Sequence, residues 1–416
     1  MDPLLLGAIV GTTLILLLLS GIPVAFALGI TAMIFISIDE GVEGFGVLAE
    51  TLFGALDEFA LLSIPMFLLM GAAIAASRAG ADLYEAIDRW LYRVPGGLLI
   101  SNIGACGIFA ALTGSSPATC AAIGKMGIPE MTKRGYPASL ATGSIAAGGT
   151  LGILIPPSIT MIVYGIATET SIGRLFMAGM LPGLMLVGLF MLWGWLYAYS
   201  KGYRFVDTDR HFSLREKIVI LPKILPFLAV IATVLWALYG GVATPSEASG
   251  VGALFCILLV IIIYRVWKPT ALWDIVSSAT RESVMLMMII GMAALFSYMM
   301  SSLYITQGIA EWIVGLDVNK WVLLLYINLF LLVAGFFLPP VAVILMTTPT
   351  LVPIVIGAGF DPIWFGVILT LNMEIGLITP PVGLNLYVIN GIVPEVPLKT
   401  ILWGALPFMM CLVVGI

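Results

Sequence analysis

The stretch from Ala111 to Thr160, ALTGSSPATCAAIGKMGIPEMTKRGYPASLATGSIAAGGTLGILIPPSIT, decides how the rest of the chain is read. It is apolar enough to enter a bilayer, yet Gly, Pro, Ser and Thr interrupt it twice. Backbone N–H and C=O groups at membrane depth must find partners, so broken backbone persists there only where protein or a water-filled cavity satisfies it. Interrupted helices of this kind build ion and substrate sites in secondary transporters. A site of that kind is therefore expected here.

The interruption recurs. LGILIPPSITMIVYG at Leu151–Gly165 is echoed by IGLITPPVGLNLYVI at Ile375–Ile389. A shift of 224 positions pairs Pro129 with Pro353, Gly135 with Gly359, Gly152 with Gly376, and Pro156-Pro157 with Pro380-Pro381 without a gap. One inserted residue then pairs Leu181-Pro182 with Leu406-Pro407. Coincidence at one fixed offset is a poor account of so many Gly and Pro matches, and an internal repeat is a good one.

Composition points to lipid as the solvent. The chain is 61% hydrophobic and 10% charged, with a mean hydropathy of +1.13, more apolar area than a water-soluble surface can hide. Met1–Ser20 lacks a basic flank and is followed at once by another apolar run, so it reads as a retained helix rather than a signal peptide. Cys106, Cys120, Cys256 and Cys411 lie in apolar segments without CxxC spacing and read as small core residues.

Ten crossings are expected, from Leu4–Ser20 to Thr400–Ile416, with Ala60–Ala76 and Val284–Met300 opening the two repeats. With the N-terminus outside, every Lys and Arg except Arg174 and Lys320 falls on the cytoplasmic side, including Arg204 and Arg210 beside the single histidine, His211. Asp39, Glu40, Glu43, Glu50, Asp57 and Glu58 form an acidic outer loop. The expected fold is an all-α polytopic membrane protein of two inverted repeats, each with a re-entrant hairpin and a broken helix. Scaffold helices occupy 1–58. The first repeat, 59–200, has an amphipathic arm at 78–93, a hairpin at 96–129 and a broken helix at 137–167. A cytoplasmic loop and linking helices cover 201–281. The second repeat, 282–416, has its arm at 302–318, hairpin at 320–353 and broken helix at 362–391.

The chemistry follows from what the breaks expose. An unwound Gly148–Gly152 would present carbonyl oxygens, and the tip Thr113–Thr119 would add hydroxyls beside it. Hard oxygen ligands without fixed carboxylates suit a weakly held Na⁺, while half-helix N-termini suit a substrate carboxylate. The first ion site is read as Ser115, Ser116 and the backbone of Gly114, Gly149 and Gly152, and the second as Asn372, Gly376 and Thr379 with the tip Phe337–Pro340. Substrate candidates are Ser116, Thr119, Ser158 and Asn385, with Glu374, an ionisable group at membrane depth that serves either function or a structural cap.

TGSSPATCAAIG, IPEMTKRGYP, GTLGILIPPSITMIVYG and NMEIGLITPPVGLNLYV resemble the large membrane subunit of tripartite ATP-independent periplasmic (TRAP) transporters, and the resemblance covers nearly the whole chain. It implies an elevator-type, Na⁺-driven transporter of the bacterial or archaeal inner membrane. Such a transporter takes an organic acid such as a C4-dicarboxylate or sialic acid from a soluble periplasmic binding protein and works with a small four-helix membrane subunit. It implies no organic cofactor, no transition metal and no nucleic acid. The family's ion sites extend over Gly149, Thr150 and Pro156, and over Asn372 to Pro380. At Pro339 relatives often carry a polar or acidic residue, and this chain does not.

Two other classes make different demands on the sequence. A membrane enzyme would need cofactor ligands, which one loop histidine and unspaced cysteines do not supply. A stand-alone carrier of the divalent-anion symporter type would share the paired hairpins. Co-purification of a small four-span subunit separates it from the tripartite reading.

Overall fold

The computed structural model describes residues 2–201, 212–315 and 318–416, so Arg204, Arg210, His211 and the end of the second arm lie outside the described residues. Helices α1 (Pro3–Leu19) and α2 (Val24–Asp39) come first, followed by a 3-10 turn, Gly41–Phe45, and α3 (Gly46–Leu56). The acidic segment expected as a loop is thus mostly helical. Leu52 and Leu56 of α3 pack against the small surface of Gly291, while Glu50 is exposed.

Seven helices then follow: α4 (Ser63–Ala75), α5 (Ala79–Leu91), α6 (Gly97–Thr113), α7 (Ser116–Lys133), α8 (Ala138–Thr150), α9 (Ile159–Ala167) and α10 (Ile172–Ser200). Three linking helices, α11 (Leu214–Val219), α12 (Leu221–Tyr239) and α13 (Pro245–Ile262), lead to a second set of seven. These are α14 (Pro269–Ser302), α15 (Ile305–Gly315), α16 (Lys320–Phe337), α17 (Pro340–Gly357), α18 (Pro362–Leu377), α19 (Leu384–Ile392) and α20 (Leu398–Gly415). The sets match element by element: a leading helix, an arm, a two-helix hairpin, a helix broken in two, and a closing helix with an internal proline, Pro182 or Pro407. Gly135 and Gly359, 224 positions apart, both take positive φ, +79° and +83°. Both breaks contain a cis Pro-Pro bond, Pro156-Pro157 and Pro380-Pro381.

Seven helices are long and apolar enough to cross a bilayer, or eight if the bent pair Glu43–Leu56 and Phe59–Ala75 counts as one span, and the protein is a multi-pass membrane protein. One boundary differs from expectation. The sequence places the start of the second repeat at residue 282, but α14 runs without interruption from Pro269 through that point. Arg281 and Glu282 look like the edge of a loop in sequence. In the structure the helix carries them as its own side chains, Arg281 exposed and Glu282 half-buried.

The broken helices form the core. All residues from Leu140 to Thr150 of α8 and from Phe365 to Leu377 of α18 are buried. The two sets interlock there. The Tyr164 hydroxyl donates to the Pro362 carbonyl (2.6 Å), and Asn385 Nδ2 donates to the Ala146 carbonyl (3.0 Å). Gly143 of α8 and Gly404 of α20 meet backbone to backbone, a crossing that any side chain would prevent. The arm α5 lies between the first hairpin and the linking helices, with contacts to α6 and α7 on one side and to α12 on the other.

Candidate functional site

The turn of the first hairpin is two residues long. Gly114 has φ +60°, a left-handed conformation that favours glycine, and Ser115 is extended before α7 begins. This turn is seated on the first break. A Cβ on Gly114 would stand 2.6 Å from the Pro157 carbonyl oxygen, and one on Gly152 would stand 2.8 Å from both the Ser115 carbonyl and the Ser116 nitrogen. The Ser116 hydroxyl donates to the Thr150 carbonyl across the junction (3.2 Å). Gly114, Ser115, Ser116, Thr150 and Gly152 are therefore neighbours, with Gly149 against the Ser116 carbonyl and Cys120. Pro157 is the proline whose carbonyl meets Gly114 of the tip.

The expected unwinding over Gly148–Gly152 is corrected. α8 stays helical through Thr150, a 3-10 turn covers Leu151–Ile153, and the chain leaves helical structure only from Leu154 to Ser158. Gly148 and Gly149 serve close packing against Cys106 and Cys120 of the two hairpin helices. The break is made by the prolines, because a proline at 156 or 157 cannot supply the N–H that the carbonyl of Gly152 or Ile153 would take in a continuing helix. Ser158 replaces part of the loss. Its hydroxyl donates to the Ile153 carbonyl and accepts from Met161 N, capping α9. The N-termini of α7 and α9 consequently meet at the tip, and their partial positive charges suit an anion.

Thr119 faces inward within the hairpin, bonded to the Ser115 carbonyl (2.9 Å) and the Thr113 hydroxyl (2.9 Å). The second break is built differently. Gly376 packs on the backbone of Gly335 in α16, and Val382 N donates to the Phe336 carbonyl (3.1 Å). Thr379 turns back to the Ile375 carbonyl (2.7 Å), and Asn372 bonds to Asn328 Oδ1 (2.6 Å). Pro380 belongs to the cis bond of the break. Asn372 Oδ1, Asn385 Oδ1 and both carboxylate oxygens of the fully buried Glu374 have no donor among the described residues. They do not converge on one point: Asn372 faces α16, Asn385 faces α8, and Glu374 lies about 200° around α18 from Asn372.

Two features escaped the sequence reading. The first is the unbroken run of α14 past Arg281 and Glu282, which the charges disguise as a loop edge in the sequence. The second is the polar bracing of the arm. Asp88 pairs with Arg134 (3.5 Å) at the hairpin base, while Asp82 takes Lys223 (3.4 Å) and the Tyr264 hydroxyl (3.0 Å) from the linking segment. Burial, with Asp82 alongside, pushes the Tyr264 hydroxyl up. At α11, Ser213 holds the Glu216 carboxyl below its usual range through its backbone N–H and its hydroxyl.

The sequence matches the family model described as the tripartite ATP-independent periplasmic transporter, DctM component, over residues 12–416. It is 41% identical over 367 residues to the C4-dicarboxylate TRAP transporter large permease protein DctM of Pseudomonas aeruginosa, covering 88% of this chain and 85% of that one. It is 36% identical over 377 residues to the isethionate TRAP transporter permease protein DctMQ of Oleidesulfovibrio alaskensis, covering 91% of this chain and 59% of that longer one. Among solved structures, the YdaH transporter of Alcanivorax borkumensis shares the fold, with a TM-score of 0.65 at 15% identity over 90% of this chain and 87% of that one.

Proposed function

Because the chain belongs to the DctM-component family of tripartite ATP-independent periplasmic transporters, and is a large permease subunit rather than an enzyme, we propose that it performs Na⁺-coupled uptake of a small organic acid. The solute, a C4-dicarboxylate, sialic acid or similar compound, is handed over by a soluble periplasmic binding protein. A small four-helix subunit completes the assembly in the inner membrane, where the N-terminus is periplasmic. The related proteins named for C4-dicarboxylate and isethionate support an organic acid as cargo.

The observation that carries this reading is the seating of the hydroxyl-bearing turn Gly114–Ser116 on the break at Thr150–Pro157. Oxygens at that junction suit Na⁺, with Ser115 and Ser116 as side-chain ligands, and the two N-termini beside it suit a carboxylate. At the second break, Asn372, Gly376 and Thr379 form the counterpart. Glu374, buried with unpaired oxygens, is stable only with a proton or cation close by, because an isolated carboxylate costs too much at that depth. The hairpins and broken helices, 96–167 and 320–391, travel together against α1–α4 and α12–α14 as an elevator.

The test is uptake by proteoliposomes holding both membrane subunits, supplied with the cognate binding protein and a panel of organic acids. Accumulation is expected only with an inward Na⁺ gradient, and Ser115→Ala is expected to weaken the Na⁺ response by about 1–3 kcal/mol. Uptake indifferent to Na⁺ overturns the coupling.

A further inference from the structure

The C-terminal end of the arm α5 and the short helix α11 meet in a cluster of cations and aromatic rings. The Arg89 guanidinium donates to the Glu216 carbonyl (2.9 Å) and lies over the Phe212 ring, which stands edge-on to Tyr92. Arg93 donates to the Tyr92 hydroxyl (2.7 Å), and its guanidinium carbon is 5.4 Å from the centre of that ring. Lys217 Nζ is 4.9 Å from the same ring centre and 5.5 Å from that of Trp90. A neutral ring attracts a cation without cancelling its charge.

The nearby carboxylates are occupied. Glu85 is paired with Arg89, and Glu216 turns back onto Ser213 at the start of α11. Among the described residues, Arg93 and Lys217 have no carboxylate partner. The end of α5 supplies about half a negative charge, too little for two cations held against one ring. The cluster therefore carries a net positive charge.

It also lies at the edge of the bilayer. A Cβ on Gly96, just past Arg93, would stand 2.5 Å from the Ala198 Cβ near the end of the crossing α10, and α11 leads at once into the crossing α12. Leu214, Ile218 and Val219 are exposed beside the cations, as is Trp90. A phospholipid uses both kinds of surface, the cations for its phosphate and the apolar side chains for its acyl chains, whereas a free phosphate uses only the cations.

We propose that this cluster binds an anionic phospholipid, with its phosphate on Arg93 and Lys217, and that the lipid anchors the C-terminal end of α5 to the membrane surface. Because α5 also holds the hairpin base through Asp88 and Arg134, the lipid steadies the element that joins the first hairpin to the linking helices.

The experiment titrates phosphatidylglycerol, with phosphatidylcholine as the zwitterionic control, into the detergent-solubilised protein and follows its melting temperature. Wild type is expected to melt higher with phosphatidylglycerol than with phosphatidylcholine, the difference shrinking as salt is added. Arg93→Gln with Lys217→Gln is expected to raise the half-saturating phosphatidylglycerol concentration about thirtyfold, at about fivefold per charge, while melting without added lipid stays near wild type. Arg93→Lys with Lys217→Arg keeps both charges, should respond more like wild type than the Gln pair does, and covers the case in which the Gln pair fails to fold. An equal response of wild type to the two lipids, or a phosphatidylglycerol response unchanged in the Gln pair, overturns the proposal. So does inorganic phosphate reproducing the whole shift, which makes the ligand a free anion, or loss of a co-purifying small subunit from the Gln pair, which makes the surface a protein interface.

Discussion

Gly143 of α8 and Gly404 of α20 are in backbone contact, so close that a methyl group on either would overlap the other helix's main chain. A methyl on Gly404 would meet the Ser139 carbonyl, with no flexible side chain to yield. Gly404→Ala is therefore expected to destabilise the protein by about 1–3 kcal/mol or more through overpacking. Thermal melting in detergent checks this against Gly188→Ala, where open space surrounds the glycine. Equal melting of the two variants would contradict the packing account.

Gly152 is the equivalent contact at the site. A Cβ there would press on the Ser115 carbonyl and Ser116 nitrogen at 2.8 Å and lift the tip from the break. Gly152→Ala is expected to abolish uptake even where the protein remains folded and in the membrane. Full uptake by this variant would show that the tip need not be seated for transport.

The arm offers a test of movement. Asp82 faces the linking segment through Lys223 and Tyr264, whereas Asp88 faces the hairpin base through Arg134, so α5 is braced on both sides. Cysteines at 82 and 223, in a chain whose four native cysteines are replaced, should stop uptake when cross-linked and release it when reduced. Uptake that continues in the cross-linked protein would exclude movement between α5 and α12.

The acidic outer segment is expected to steer the binding protein. Glu43 and Glu50 are exposed, and the segment from Asp39 to Glu58 has six acids and no base. Reversing both charges, Glu43→Lys with Glu50→Lys, should slow binding-protein-dependent uptake at low ionic strength and do so less as salt is added. An unchanged dependence on binding-protein concentration at low salt would place docking elsewhere.

The capping box at α11 carries a pH dependence. Ser213 lowers the Glu216 carboxyl from its ordinary value, so the ionised form favours the folded helix start. That contribution is present above the unfolded carboxyl value of about 4.3 and is lost as pH falls through the lower folded value. Ser213→Ala removes the hydroxyl and keeps the backbone N–H, so the Glu216 titration, followed by NMR, should rise only part of the way toward the ordinary value. A titration unmoved by the substitution would assign the whole shift to the backbone N–H.

How much of this was legible in the sequence depended on whether the chemistry was local. A turn at Gly114-Ser115 and a break at Pro156-Pro157 follow from glycine's access to positive φ and proline's missing N–H, and both can be read from single residues. Gly148 and Gly149 could not be sorted that way. A glycine that opens a helix and one that lets two helices touch look alike until Cys106 and Cys120 are seen beside them. The same holds for Glu282, which reads as the edge of a cytoplasmic loop because Arg281 precedes it, and for Asp39–Glu58, whose charges hide a helix. Contacts between distant elements, such as Asn385 with Ala146, leave no trace in spacing.

The crossing of Gly143 and Gly404 also sets an order of events during synthesis. α8 leaves the ribosome long before α20 exists, and at about 5–20 residues per second the gap is on the order of 13–50 s. Throughout that interval a helix buried over its whole inner length has no partner for its glycine face. The nascent chain must hold α8 in the translocon or against lipid until the last helix arrives, and truncation before Leu398 would leave that face permanently open to degradation.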